Sequence, residues 1–237
     1  MSAFAESLST AVGLVRDADP QLTRIVALSL SVSGAACLIG AAFGLAGGAW
    51  LAVTRIPGRR ALVAVLNTLL GLPSVVVGLV VYLLLSRSGP LGSWGILFTP
   101  QAMVIAQSIL VLPVIAALSR QLVADSLREG GEQLGSMGAG PLTRAVLMLV
   151  HERWSVVTVL LTAFGRAVSE VGAVMIVGGN IDGVTRVITT TIALETSKGD
   201  LPLALALGLV LLFVVGIINA AVALSPGAKR QITSGAR

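Results

Sequence analysis

Five stretches of this chain are almost continuously apolar, and polar or turn-forming residues collect between them. The runs cover residues 25–53, 61–86, 101–123, 154–178 and 201–224. Each reaches the roughly 20 helical residues that a bilayer core demands. The pattern therefore predicts an all-α, polytopic membrane protein with five transmembrane helices. A semi-apolar stretch at 3–15 comes first and suits a helix lying along a membrane surface. Asp19 then suits a helix N-cap, and Pro20 the first helical position, where its missing N–H costs nothing. Glu6 falls where a signal peptide carries basic residues, and the first long run begins late, so the start does not read as a cleaved leader.

Within the runs, small residues and prolines set the detail. Gly40, Gly44 and Gly48 recur at spacing four, on one helical face, which allows close backbone approach between membrane helices. Gly71-Leu72-Pro73 and Leu112-Pro113 remove backbone donors inside predicted spans, and each permits a kink or a hinge. Two connections are too long for simple turns. Residues 124–153 are polar; residues 179–200 hold Gly178-Gly179-Asn180 at their head and Thr189-Thr190-Thr191 further on. The middle of the second, 187–196, suits a short re-entrant or surface helix. With no low-complexity linker and no internal repeat, residues 1–237 read as one domain, with 1–24 as an N-terminal segment outside the first span.

Composition supports lipid as the solvent. Of 237 residues, 55% are apolar and 11% charged, against about 25% charged in a soluble domain. The net charge of +5 comes from residues scattered between apolar runs, with no basic stripe interleaved with aromatics, which excludes a nucleic-acid surface. Arg55, Arg59, Arg60, Arg120, Arg128, Arg144, Arg153, Lys229, Arg230 and Arg237 lie on one side of the predicted spans. Only Arg16, Arg24, Arg87, Arg186 and Lys198 lie on the other. The richer side is expected to be cytoplasmic, with the N-terminus outside and the C-terminus inside. Trp50, Trp94 and Trp154 fall near span ends, where interfacial aromatics belong. Cys37 sits inside an apolar run as a packing residue, and His151 reads as an interfacial polar residue. No metal-ligand cluster is visible. There is no G-x-x-x-x-G-K-[ST] loop around Lys198 or Lys229, so nucleotide hydrolysis is not expected on this chain.

The polar connection reads Glu129-Gly130-Gly131-Glu132-Gln133-Leu134-Gly135. It resembles the EAA signature of ABC importer permeases, although Gly-Gly replaces Ala-Ala and no proline stands after Leu147. Small residues at 130 and 131 let a helix lie close to a partner surface, Glu129 suits a helix N-terminus, and Gly135 allows an exit turn. The resemblance implies that Glu129, Gly130, Gly131 and Gly135 belong to a short coupling helix docking on a separate ATPase, which carries the ATP and Mg. No cofactor is implied on this chain.

A second resemblance covers most of the sequence. Gly71-Leu72-Pro73-Ser74-Val75-Val76-Val77-Gly78-Leu79 and Leu83 to Gly92 are similar to tungstate importer permeases. So are Gly165-Arg166-Ala167-Val168-Ser169-Glu170-Val171-Gly172-Ala173 and Val177-Gly178-Gly179-Asn180-Ile181, with Thr185-Arg186 after it. Molybdate and sulfate permeases share the plan, with Gly-Glu-Phe-Gly in place of Ser-Glu-Val-Gly. The resemblance implies a type I (MetI-like) architecture in a bacterial or archaeal plasma membrane. It also implies that two copies form the path, two ATPase subunits sit at the cytoplasmic face, and an external binding protein delivers the oxyanion.

Arg166 and Glu170 stand four apart in a predicted membrane helix, with Ser169 beside them. Ionisable groups there are costly unless paired and turned inward. The pair reads either as a gate or pathway element or as a mutually neutralising pair that fixes packing. Asn180 suits a helix cap in the outer loop, while Thr189, Thr190 and Thr191 either present neutral donors to a passing anion or cap helices. A secondary transporter would need an inverted repeat or coupling-ion carboxylates, and Glu170 is the only acidic residue deep in a span. A membrane scaffold would leave the coupling pattern unexplained. Among importers, molybdate, sulfate and phosphate remain alternatives to tungstate, since all are tetrahedral anions.

Overall fold

The computed structural model describes residues 3–16 and 20–223. The Asp19 cap and the C-terminal basic residues Lys229, Arg230 and Arg237 lie outside them. Ten α-helices and one 3-10 turn, Gly92–Trp94, account for the regular structure of the described residues. The helices are α1 (Ala3–Arg16), α2 (Pro20–Val53), α3 (Arg59–Leu69), α4 (Ser74–Leu85), α5 (Pro100–Ser136), α6 (Pro141–His151), α7 (Arg153–Val168), α8 (Gly172–Gly178), α9 (Ile188–Lys198) and α10 (Leu201–Ala223).

By length and composition, α2, α5 and α10 are each able to cross a membrane. The count reaches five if the broken pairs α3–α4 and α6–α7 each make one span. The expected run 61–86 is thus interrupted: α3 ends at Leu69 and α4 starts at Ser74. Pro73 has no N–H to donate and disfavours helical backbone in the residue before it, while Gly71 is a weak helix former. Pro113 meets the same penalty, yet α5 continues through it. There, Val111 and Ile115 are fully buried on either side, and packing outweighs the lost bond. The expected run 154–178 is also divided. Helix α7 stops at Val168, residues 169–171 are non-helical, and α8 adds only seven residues.

The chain gathers into two compact units. One comprises Met1–Gly34, Ser74–Gln107 and Val168–Arg237. Its core joins Ala11 of α1, Leu22 and Ile25 of α2, Ile188 of α9, and Ala206, Leu207 and Val210 of α10. The N-terminal helix therefore packs on α10, burying Ala11 while Leu8 and Val12 stay exposed. In the same unit α4 packs on α8. A Cβ on Gly78 would stand 2.8 Å from Ala173 Cα, and one on Gly172 would stand 2.8 Å from Val75 Cγ2. Both glycines are required by that approach.

The other unit comprises Ala35–Pro73 and Ser108–Ala167. Here the expected glycine face is a helix seam. Cβ atoms on Gly40 and Gly44 would meet Ile115 at 3.0 and 2.9 Å, and one on Gly48 would overlap Ser119 Oγ and the Ala116 carbonyl. The Ser119 hydroxyl donates to the Gly44 carbonyl at 3.2 Å, tying α5 to α2. Cys37 packs against Val111, Ile115, Val159 and Ala163, in the role expected for it. Ala49, Val123 and Ala145 extend this core towards α6.

Candidate translocation and coupling sites

The segment that resembles the EAA signature is helical, but it is not a separate short helix. Glu129, Gly130, Gly131 and Gly135 occupy the last turns of α5, which runs on to Ser136. Glu129 therefore lies near a helix C-terminus, and the N-terminal role expected for its charge does not apply. Nor is Gly135 the exit. Gly138 takes the left-handed conformation at φ 83°, and the Ala139 N–H donates back to the Leu134 carbonyl at 3.0 Å, closing the helix end. Pro141 then opens α6, whose first position suits it.

Packing of α6 explains why the helix survives two glycines. Ala145 and Met148 are buried, and the Ser126 hydroxyl lies 3.0 Å from Met148 Sδ. A Cβ on Gly130 would sit 3.7 Å from Met148 Cε, and one on Gly135 would sit 3.4 Å from Arg144 Nη1. These two small residues make room for α6 within the same chain. Glu129 faces a cleft of about 450 Å³ with Gln133, Met148, His151 and Glu152. Met137, at the hairpin tip, is 81% exposed. The result is a helical hairpin with a bare tip and an acidic cleft at its side.

The motifs at 71–79 and 165–173 meet in the first unit. Ser74, Val75 and Gly78 of α4 lie against Gly172 and Ala173 of α8. Ser169 and Glu170 fall in the break before α8, so the continuous helix assumed for Arg166 and Glu170 ends between them. Arg166 lies near the end of α7, in the second unit. Glu170 is buried, and its carbonyl accepts a hydrogen bond from the Thr189 hydroxyl at 2.9 Å. The Thr190 hydroxyl accepts from the Val187 N–H and donates to the Val187 carbonyl, at 3.1 and 3.0 Å. Thr191 donates to that same carbonyl at 2.8 Å. All three threonines are buried, with their hydroxyl hydrogens on backbone carbonyls.

The loop after α8 is organised by Thr185, which carries part of the tungstate-permease resemblance but had no role assigned to it from sequence. Its hydroxyl donates to the Gly178 carbonyl at 2.6 Å and accepts from the Ile181 N–H at 2.9 Å. Gly179 is the C-cap of α8 at φ 71°, and Asn180 follows at φ 50°. The capping bond is made by the Gly179 N–H to the Met175 carbonyl at 2.9 Å, so Asn180 stands just past the cap, with its Oδ1 buried without a partner. Asp182 and Arg186 close the loop through a 3.0 Å ion pair. Ser29 was passed over; its hydroxyl accepts the Ile188 N–H at the start of α9. A threonine four residues after the Gly-Gly-Asn-Ile string was the available signal for Thr185; nothing local marked Ser29. Among the described residues, no three His, Cys, Asp or Glu side chains gather as a metal site would require.

Known proteins match this chain nearly end to end. A tungstate uptake system permease protein, TupB, of Peptoclostridium acidaminophilum is 44% identical over 225 residues, covering 94% of this chain and 97% of that one. A probable anion ABC transporter permease protein of Haloferax volcanii is 45% identical over 208 residues, 84% of this chain and 88% of the relative. This chain belongs to the ABC anion-transporter permeases. The sulfate transport system permease protein CysW of Escherichia coli K12 is more distant, 31% identical over 182 residues, covering 71% and 60% of the two chains. No family model matches. For a permease, the all-helical fold and the apolar spans are the expected frame, and its glycine-dependent contacts now have named partners.

Proposed function

We propose that this permease forms the translocation path of a tungstate importer, driven by a separate ATPase and supplied by an external binding protein. The observation that carries the reading is the α4–α8 contact. The two strings most similar to tungstate permeases, far apart in sequence, pack through Gly78 and Gly172 where a Cβ would clash. The TupB relatives from Peptoclostridium acidaminophilum and Campylobacter jejuni support the cargo, at 44% and 40% identity. Two copies of the chain enclose the path, and the α5–α6 hairpin, on the basic cytoplasmic side, docks on the ATPase that binds ATP and Mg. Glu170, Ser169 and Arg166 flank the path where the helix breaks. Thr189, Thr190 and Thr191 hold that break in shape, and Asn180 turns the chain away from α8.

The test is uptake by vesicles containing the permease, ATPase and binding protein. ATP-dependent accumulation of tungstate, not competed by excess sulfate, is the expected result. Accumulation of sulfate with tungstate excluded would assign the chain to the cargo of the CysW relative instead. Uptake driven by an ion gradient without ATP would overturn the importer class.

A further inference from the structure

A cavity of about 920 Å³ opens where α2 ends; Gly131 of the coupling-type segment lines part of it, but its arginines have no part in the transport reading. Its walls include Arg55, Arg59 and Arg144, with Glu132 as the acidic residue among them. Arg59 is fixed in place: Nε and Nη2 donate to the Leu51 and Ala52 carbonyls at 2.9 and 3.2 Å. Those are free carbonyls at a helix C-terminus, a natural seat for a guanidinium. Arg144 has no such role. Its Nε is buried and without a hydrogen-bond partner. Three arginines against one glutamate in the lining leave an excess of positive charge around a half-enclosed space. A buried donor without an acceptor is costly, and an anion would relieve both conditions.

The approach to the cavity indicates which anion. Trp50 lies on its wall and is 47% exposed. Phe43 and Ile39 stand seven and eleven residues before it in α2, on the same helical face, and both are exposed. An indole at the rim and an apolar stripe leading away from it match a headgroup boundary. From Trp50 to Ile39 the stripe is about 16 Å long at ~1.5 Å per residue. That is about half of the ~30 Å hydrocarbon core, the depth of one leaflet. A free oxyanion would need the arginines and have no use for the stripe.

We propose that this cavity binds the phosphate of an anionic phospholipid, held by Arg55, Arg59 and Arg144, with an acyl chain lying along Trp50, Phe43 and Ile39. The lipid sits beside the hairpin that carries Glu129, so it braces the coupling end of the permease within its own leaflet.

The test uses the complete permease–ATPase complex in nanodiscs of phosphatidylcholine with a minority of phosphatidylglycerol, and native mass spectrometry to count retained lipids. Phosphatidylglycerol is expected to be retained selectively. Arg55→Gln and Arg144→Gln should each lower its retention about fivefold, the worth of one basic residue towards an anionic lipid. Arg128→Gln, which removes an exposed charge paired with Asp125 on the same hairpin, should change nothing. If Arg144→Gln fails to assemble, Arg55→Gln decides alone, since that side chain is exposed and outside the packed core. Equal retention of both lipids, or wild-type retention in the arginine variants, overturns the proposal. Displacement of phosphatidylglycerol by millimolar inorganic phosphate or tungstate also overturns it, and would assign the arginines to a free anion. The readout needs no transported cargo, so it stands apart from the identity of the oxyanion.

Discussion

The hydroxyl of Thr189 reaches 19 residues back along the chain to the main-chain carbonyl of Glu170, at 2.9 Å. This bond lies at the break between α7 and α8, where the backbone leaves its helical pattern, and it fastens that break to the first turn of α9. A buried carbonyl left without a donor costs about 1–3 kcal/mol. Thr189→Val keeps the shape and removes the donor, so it should lower thermal stability by about that much and slow uptake. Thr189→Ser should restore most of both. Equal stability of the valine variant and the wild type would show that the bond contributes nothing.

The α2–α5 seam gives a test that does not depend on cargo. Gly44→Leu forces a side chain into Ile115, and Gly48→Val forces one into Ser119 and the Ala116 backbone. Overpacking of a tight core costs about 1–3 kcal/mol and more where backbone must move. Both variants should lose folded, detergent-stable protein, with Gly48→Val the worse. Gly47→Ala, which meets nothing within 4 Å, should behave as wild type. Fluorescence-detected size exclusion would rank the three.

These cases show what the sequence carries and what it leaves out. Apolar runs located α2, α5 and α10 because burial and lipid exposure both demand long apolar helices. Glycines at spacing four gave the seam, because helix periodicity puts them on one face. The break at 169–171 was not visible. Val168-Ser169-Glu170-Val171 contains neither proline nor glycine, and the group that holds it, Thr189, is remote in sequence. At Gly130-Gly131 the difference ran the other way. The EAA resemblance implied a short separate helix, yet contacts with Met148 and Ala145 of α6 carry α5 through the two glycines to Ser136.

The proposed orientation rests on the basic asymmetry and is tested directly. Reporter fusions within residues 88–98 and after Arg237 should give opposite signals, with the C-terminus cytoplasmic. Equal signals would reject the proposed arrangement and the side on which the hairpin meets the ATPase.

At the hairpin, Glu129→Lys changes charge in the cleft beside His151 and Glu152 without entering a packed core. ATP hydrolysis should persist while uptake falls several-fold, because docking is altered and the spans are not. Gly135→Trp, by contrast, must displace Arg144 and should weaken both docking and the hairpin itself. Normal uptake by both variants would remove the coupling role from this segment.

The charge of Glu170 is separable from the bond at its backbone. Thr189 holds the carbonyl, so Glu170→Gln leaves that hydrogen bond in place while removing a negative charge from a buried side chain. A path for an anion works only if its sites are favourable enough to enter and weak enough to leave. A carboxylate at the break disfavours residence of an oxyanion nearby, whereas the neutral amide does not. The isolated wild-type permease should therefore bind tungstate weakly, with directionality coming from ATP-driven change in the populations of inward- and outward-facing states. Glu170→Gln should retain the anion longer and turn over more slowly, with thermal stability less affected than in Thr189→Val. Binding of radiolabelled tungstate to purified permease, measured beside uptake in vesicles, distinguishes the outcomes. Faster uptake with unchanged retention would reject an electrostatic role for Glu170. Unchanged uptake with lowered stability would leave it a packing residue at the α7–α8 break.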